Sequence, residues 1–236
     1  MSNLQTHIEN YLKYCEEQKR LDYKTLKAYK IDLSQFCQSI STNNLTDITS
    51  SMLENYISEL HQKYKPKTVK RKIACIKALF HYFEYREIID LNPFNKILIK
   101  FREPTSLPKT IPLNTVETIL STIYTKKATA KTTYQKRNAL RDAATIELLF
   151  ATGIRIFELC SLQIDDVNLE DGTILISGKG SKERRLQIGN IEVLNILKEY
   201  RLDFSKEIAN CGHFFANQSG HPLSDQTVRR IINKYT

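Results

Sequence analysis

Residues 98–113, LIKFREPTSLPKTIPL, carry three prolines and no apolar period. Proline fixes φ, lacks a backbone N–H and biases the residue before it towards extended conformations, so neither a helix nor a paired strand runs easily through this segment. The chain is therefore expected to fold in two parts joined by an extended linker. The parts are placed at 1–97 and 113–236, with 98–112 as the linker. Each is long enough to bury a core of its own.

Before the linker the apolar spacing is helical. Ile8, Tyr11, Leu12 and Cys15 mark one helix, and Asp22 stands where an N-cap would open the next. Leu26, Tyr29, Leu33, Phe36 and Ile40 form the stripe of that second helix; Leu53, Tyr56, Ile57 and Leu60 mark a third. A fourth begins near Thr68, turns Val69, Ile73, Ile76, Phe80 and Phe83 inwards, and ends at DLNPF. After the linker come a helix from 113 to about 123, a basic loop over 124–137 and a long, mostly buried helix over 138–151. GTILIS and RRLQIG read as a hairpin joined by GKGSKE, followed by helices at 190–204 and 224–235 with a short HFFAN strand between them. The expected fold class is mainly α with a small β component: an all-helical domain, then a mixed α/β one.

Composition narrows the partners. The formal charge is +9, and two segments are basic without an acid: KYKPKTVKRK (63–72) and YTKKATAKTTYQKR (124–137). Such a distribution suits a polyanion. No apolar run approaches the ~20 residues that span a bilayer, and the N-terminus lacks the pattern of a secretory signal. The five cysteines are scattered with no C-x-x-C pair, which fits a reducing cytoplasm and argues against a zinc site or a disulfide framework.

Two features carry chemistry. Gly153 falls just past a helical run, where a left-handed residue closes a helix, and Arg155 opens the next helix, RIFELCSL. A helix N-terminus favours anions, and a guanidinium matches phosphate oxygens; equally, Arg155 can pair with Glu158 or Asp166 as part of the packing. The second feature is SGKGSKERR. It fails as a nucleotide-binding P-loop, because five residues separate Gly172 from Gly178 and Lys179 is followed by glycine. As a hairpin tip it would project Lys179, Lys182, Arg184 and Arg185 towards solvent.

Taken together, ATGIR, FELCSL, DDV and GKGSKERRLQIG resemble the phage-integrase, or tyrosine recombinase, family, including its Xer-type members. The likeness extends to RDAATIELLFATG, KTLKAYKIDLSQF, PKTVKRKIACIKALFHYF and LPKTIPL, and so spans nearly all of the chain. It implies a helical, SAM-like core-binding domain followed by part of the integrase catalytic domain. It also implies roles: Arg155 gripping the scissile phosphate, Glu158 supporting the site, and Lys179 on the hairpin protonating the leaving 5′ oxygen. Neither a cofactor nor a metal is called for. The implied partner is double-stranded DNA, with no membrane. On the helix faces opposite the apolar stripes, Lys24, Thr25 and Lys27 in the second helix and Lys67, Lys70, Arg71 and Lys77 in the fourth are the expected DNA contacts, joined by Lys182 and Arg184 in the hairpin.

The family's second box, His-x-x-Arg, does not occur. His7, His61, His81, His213 and His221 are followed three residues on by Asn10, Tyr64, Glu84, Ala216 and Ser224. Tyr235 lies upstream of where that box would fall and does not match the nucleophile. The chain therefore reads as a recombinase cut off partway through its catalytic domain, expected to bind DNA without cleaving it. A non-catalytic DNA-binding or regulatory protein derived from the same fold is the alternative. A full-length parent is expected to be tetrameric on DNA, and this chain monomeric without it.

Overall fold

A computed structural model describes residues 4–99, 110–178 and 183–235. The chain divides into two compact units, Met1–Leu107 and Pro108–Thr236.

In the first unit four helices, α1 (Leu4–Glu17), α2 (Tyr23–Ser39), α3 (Ser50–Lys63) and α4 (Pro66–Tyr85), enclose one core. Asp22 caps α2, accepting the backbone N–H of Lys24 at 2.8 Å. Helix α4 starts two residues before the expected Thr68, with Pro66 in its first turn, where the missing N–H costs nothing. Ile8, Tyr11, Leu33, Phe36, Leu53, Val69, Ile73, Ile76, Phe80 and Phe83 are buried as their spacing requires. Edge-to-face contacts link Phe80 to Phe36, Phe83 and Phe94. Phe94 belongs to a 3₁₀ turn that opens at Pro93 (Pro93–Lys96); α4 ends before the expected DLNPF, at Tyr85, and Glu87 just beyond it takes a positive φ of 56°.

Two charged side chains lie inside this core. Asp32 of α2 is 0% exposed and Lys72 of α4 only 3%, and Lys72 Nζ donates to Asp32 Oδ1 at 2.9 Å.

The second unit is built around α6 (Thr133–Thr152), which packs against α5 (Leu113–Thr129) and α8 (Ile191–Asp203). Segment 124–137, expected as a basic loop, is mostly helix: α5 continues to Thr129, and α6 starts at Thr133 under a capping box of Thr132 and Gln135. Several of its cations are used within the unit. Lys127 pairs with Glu199 at 2.6 Å, and Arg137 binds Asp203 and Glu207 at 3.0 and 2.9 Å while lying over the Phe204 ring.

Helix α6 closes at Gly153, whose φ of 63° is the left-handed conformation a side chain would resist. Then follow the short α7 (Ile156–Ser161) and an antiparallel sheet in the order β1 (Val167–Asn168), β2 (Thr173–Ser177), β3 (Glu183–Gln187). The hairpin is as expected, and β1 is an addition. The HFFAN segment forms no ladder; single bridges join His213 to Gln163 and Ala216 to Pro222. An unforeseen α9 (Ser205–Cys211) precedes it. Phe214 and Phe215 pack with Tyr200 and Phe204, and the Tyr200 hydroxyl accepts the Ala216 N–H at 2.8 Å. The last helix, α10 (Asp225–Tyr235), is pinned to α6 through Asp142, a fully buried acid that accepts from Lys234 Nζ and Tyr235 Oη, each at 3.0 Å, and from Arg141 at 2.7 Å.

Truncating Phe215 to alanine should open a cavity and destabilise the second unit by about 3–5 kcal/mol. Ile191→Ala, at a position 64% exposed, should stay within about 0.5 kcal/mol of the parent. Urea denaturation of the two variants checks this, and equal effects would contradict the placement of the core.

Candidate functional site

The turn between α6 and α7 brings Arg155 to the surface. Gly153 reverses the chain, Ile154 is buried as an anchor, and Arg155 takes extended backbone angles as the residue that opens α7. Glu158, one turn on, reaches back and accepts the Arg155 backbone N–H at 2.9 Å, as an acid at the third helical position does in a capping box. The free N–H groups of a helix start therefore contribute less here than expected. The guanidinium carries the site's positive charge.

That guanidinium donates through Nη1 to Glu158 Oε1 at 2.9 Å, yet the Arg155 side chain stays 78% exposed. Its other nitrogens have no partner among the described residues. The pairing with Glu158 and a phosphate-binding role are thus compatible: one edge of the fork is held, and the other faces out.

Glu158 is shared. Arg184 in β3 donates through Nη1 to Oε1 at 3.0 Å and through Nη2 to Oε2 at 2.8 Å. The carboxylate, 3% exposed, is thus filled by four donors. Arg184 was expected to project to solvent beside Arg185; its side chain is 40% exposed, but its fork turns to Glu158, and the strand register explains the difference between the two. Arg184 pairs across the hairpin with the buried Ile176, and Leu186 with the buried Ile174, so both lie on the inner face, while Arg185 sits opposite Leu175 on the other. The Arg184 fork is the strongest cause lowering the Glu158 pKa. Burial opposes it, the Arg155 donors assist it, and the carboxyl falls from its ordinary 4.5 to about 2. The same bond raises the Arg184 guanidinium further above its usual value. Two cations on one acid leave one positive charge in excess at this surface.

Lys179 and Lys182 lie outside the described residues. In the first unit Lys24, Lys27, Lys67, Lys70, Arg71 and Lys77 are exposed and Thr25 is half-buried. They are not all alike. Arg71 reaches back to the buried Asp32, and Lys77 leans over the Phe94 ring at 5.9 Å. Among the described residues no cluster of three His, Cys, Asp or Glu side chains has metal-site geometry, and no helix is long and apolar enough to cross a membrane.

Comparison with known proteins matches residues 110–236 to the phage integrase family and residues 8–87 to the phage integrase N-terminal SAM-like domain. A tyrosine recombinase of Agathobacter rectalis is 68% identical over 235 residues, covering all of this chain and 77% of that protein. The chain belongs to the phage integrase, or tyrosine recombinase, family. Tyrosine recombinase XerC of Thermodesulfovibrio yellowstonii is 30% identical, with 76% of its length covered. Among crystal structures, the XerH site-specific recombinase bound to a palindromic difH substrate aligns with a TM-score of 0.69 at 26% identity, over 94% of this chain and 66% of that one. A lambda integrase dimer bound to a COC′ core site aligns at 0.73 and 16% identity, and shows the shared fold. This chain spans 63% of that lambda integrase chain.

The sequence reading missed three buried charges: Asp32, Lys72 and Asp142. A signal for the first two was present. Asp32 lies three residues after Tyr29 and four before Phe36, inside the α2 stripe, and Lys72 holds the same place between Val69 and Ile76 in α4. A charge on an apolar stripe is either an error of phase or a buried pair, and here it is a pair.

Because the folded pKa of Glu158 lies below the unfolded one, the stability it contributes is present above pH ~4.5 and is lost as pH falls towards about 2. Glu158→Gln should therefore lower stability at pH 7 by on the order of 3 kcal/mol. The gap to the parent should narrow between pH 5 and 3, as read by urea denaturation at each pH. A gap that stays constant across that range would show that the carboxylate charge is not what these arginines bind.

Proposed function

We propose that this chain grips duplex DNA and one of its backbone phosphates as part of a site-specific tyrosine recombinase. The observation that carries this reading is the exposed guanidinium of Arg155, braced on a buried acid that also holds Arg184, in a chain of the phage integrase family. In this reading residues 1–97 form the helical DNA-binding domain, 98–112 the linker and 113–236 the catalytic-type domain.

Phosphoryl transfer places growing negative charge on the non-bridging oxygens, and a fixed arginine donor stabilises that charge without reorganising. Arg155 fills that role. Bracing by Glu158 keeps its free edge in place before substrate arrives. Lys179, 24 residues on in the sequence, is assigned the proton for the leaving 5′ oxygen. The exposed cations of α2 and α4 hold the flanking backbone, positioning the protein without specifying sequence.

The covalent step needs a tyrosine oxygen to attack phosphorus as the 5′ oxygen leaves. No His-x-x-Arg occurs in these 236 residues. Tyr235 is a poor candidate for the nucleophile. It is 7% exposed, its hydroxyl is held by Asp142 at 3.0 Å, and burial raises its pKa. The 236-residue chain is thus assigned DNA binding without strand cleavage.

Two measurements test this. Affinity for a random-sequence duplex should fall steeply with salt, and Lys67→Ala/Lys70→Ala should flatten the log–log slope by up to ~0.9 per lost phosphate contact; an unchanged slope would remove these lysines from the interface. Nicked duplexes with randomised cores should give no covalent adduct on a denaturing gel. An adduct would overturn the assignment, and its mapped residue would reveal the nucleophile.

A further inference from the structure

Asp32 is the most deeply buried acid among the described residues of the first unit, and it takes two cations where one would neutralise it. Its Oδ1 accepts Lys72 Nζ at 2.9 Å, and its Oδ2 accepts Arg71 Nη1. Lys72 is the inner partner. It is 3% exposed, donates also to Gln35 Oε1 and lies 4.8 Å from the Tyr64 ring centre. Asp32 and Lys72 therefore form a closed, neutral pair between α2 and α4, and the charge of Arg71 is surplus to it. The Arg71 side chain is 46% exposed, tethered at one nitrogen, with Lys67 one helical turn before it on the same face.

An arginine on a solvent face ordinarily loses rotamer freedom when it meets a phosphate, and that loss weakens binding. One already fixed by a buried acid loses little. Its planar fork also lets one edge hold the acid while the other meets an anion, which an ammonium at the end of a flexible stem does not do in the same geometry.

We propose that Asp32, paired with Lys72, is a positioning residue that presents Arg71 to a DNA phosphate. This rests on the reading of the first unit as a DNA-binding domain. Asp32 does not touch DNA; it acts through Arg71. The arrangement at Glu158 and Arg155 in the second unit follows the same chemistry, a buried acid holding one edge of an exposed guanidinium.

The test uses the 236-residue chain and a random-sequence duplex at two salt concentrations. Asp32→Ala/Lys72→Met removes one negative and one positive charge, so the net charge is unchanged and a loss of affinity cannot be assigned to it. Affinity should fall on the order of tenfold, the worth of one charge-assisted contact. Arg71→Ala, costly in the parent, should add less than about threefold in that background, since the arginine is no longer held. Arg71→Lys, a surface change that keeps the charge and the fold, should bind close to Arg71→Ala. It keeps the inference testable even if the buried double variant does not fold. Arg71→Lys binding like the parent would overturn the inference, as would a folded double variant with unchanged affinity. If the parent chain itself shows no salt-dependent binding, the DNA-binding reading fails first. If it binds and only the Arg71 and Asp32 variants are silent, that reading stands and the positioning role falls.

Discussion

The carboxylate of Glu158 is the point on which the second unit's candidate site depends. An ionised acid with 3% exposure has given up nearly all of its water, and that desolvation is tolerable only if every lone pair is replaced. Here a backbone N–H and two guanidinia replace them. The consequence is structural before it is chemical. One acid joins the start of α7 to strand β3, so the residue that opens α7 and the arm of the hairpin cannot move independently. Arg155 is fixed at one edge and free at the other because of this shared acid.

The same solution recurs twice. Asp32 joins α2 to α4 through Lys72 and Arg71, and Asp142 joins α6 to α10 through Arg141, Lys234 and the Tyr235 hydroxyl. All three acids are buried, and each holds at least two cationic side chains, one or more of which remains partly exposed. A protein with a net charge of +9 thus spends part of its basic character inside, on fixed acids, and shows the rest at the surface. The surplus is directed, since the exposed arginines at Asp32 and Glu158 are oriented by the acids that hold them. Buried ion pairs of this kind contribute little net stability compared with apolar packing, and their effect here is to specify which elements meet and where a charge points.

Much of this architecture was legible in the sequence. The apolar periods of Leu33, Phe36, Ile73 and Phe80 locate the first core, Asp22 marks the start of α2, and Gly153 marks the end of α6, because each reflects a local rule of spacing or backbone angle. What was not legible depends on partners distant in the chain. Arg184 and Arg185 are neighbours and look equivalent, and only the register opposite Ile176 turns the fork of one towards Glu158 and the other to the opposite face. The stretch 124–137 looks like a loop by composition, yet it is mostly helix, and two of its cations, Lys127 and Arg137, meet Glu199, Asp203 and Glu207 on α8 and α9. Asp32 and Lys72 break their apolar stripes at matching positions, which becomes meaningful only when both helices are considered at once.

The central claim is that Glu158 holds Arg155 by one edge and Arg184 by both donors of its fork. Side-chain nitrogen NMR of the arginines tests it directly, because a guanidinium locked in a two-point bond rotates slowly about its Nε–Cζ bond and gives resolved Nη protons. Arg184 should show them in the parent chain and lose them in Glu158→Gln, while the outward Arg185 should give averaged signals in both. Resolved signals from Arg184 that survive Glu158→Gln, or averaged ones in the parent, would contradict the account.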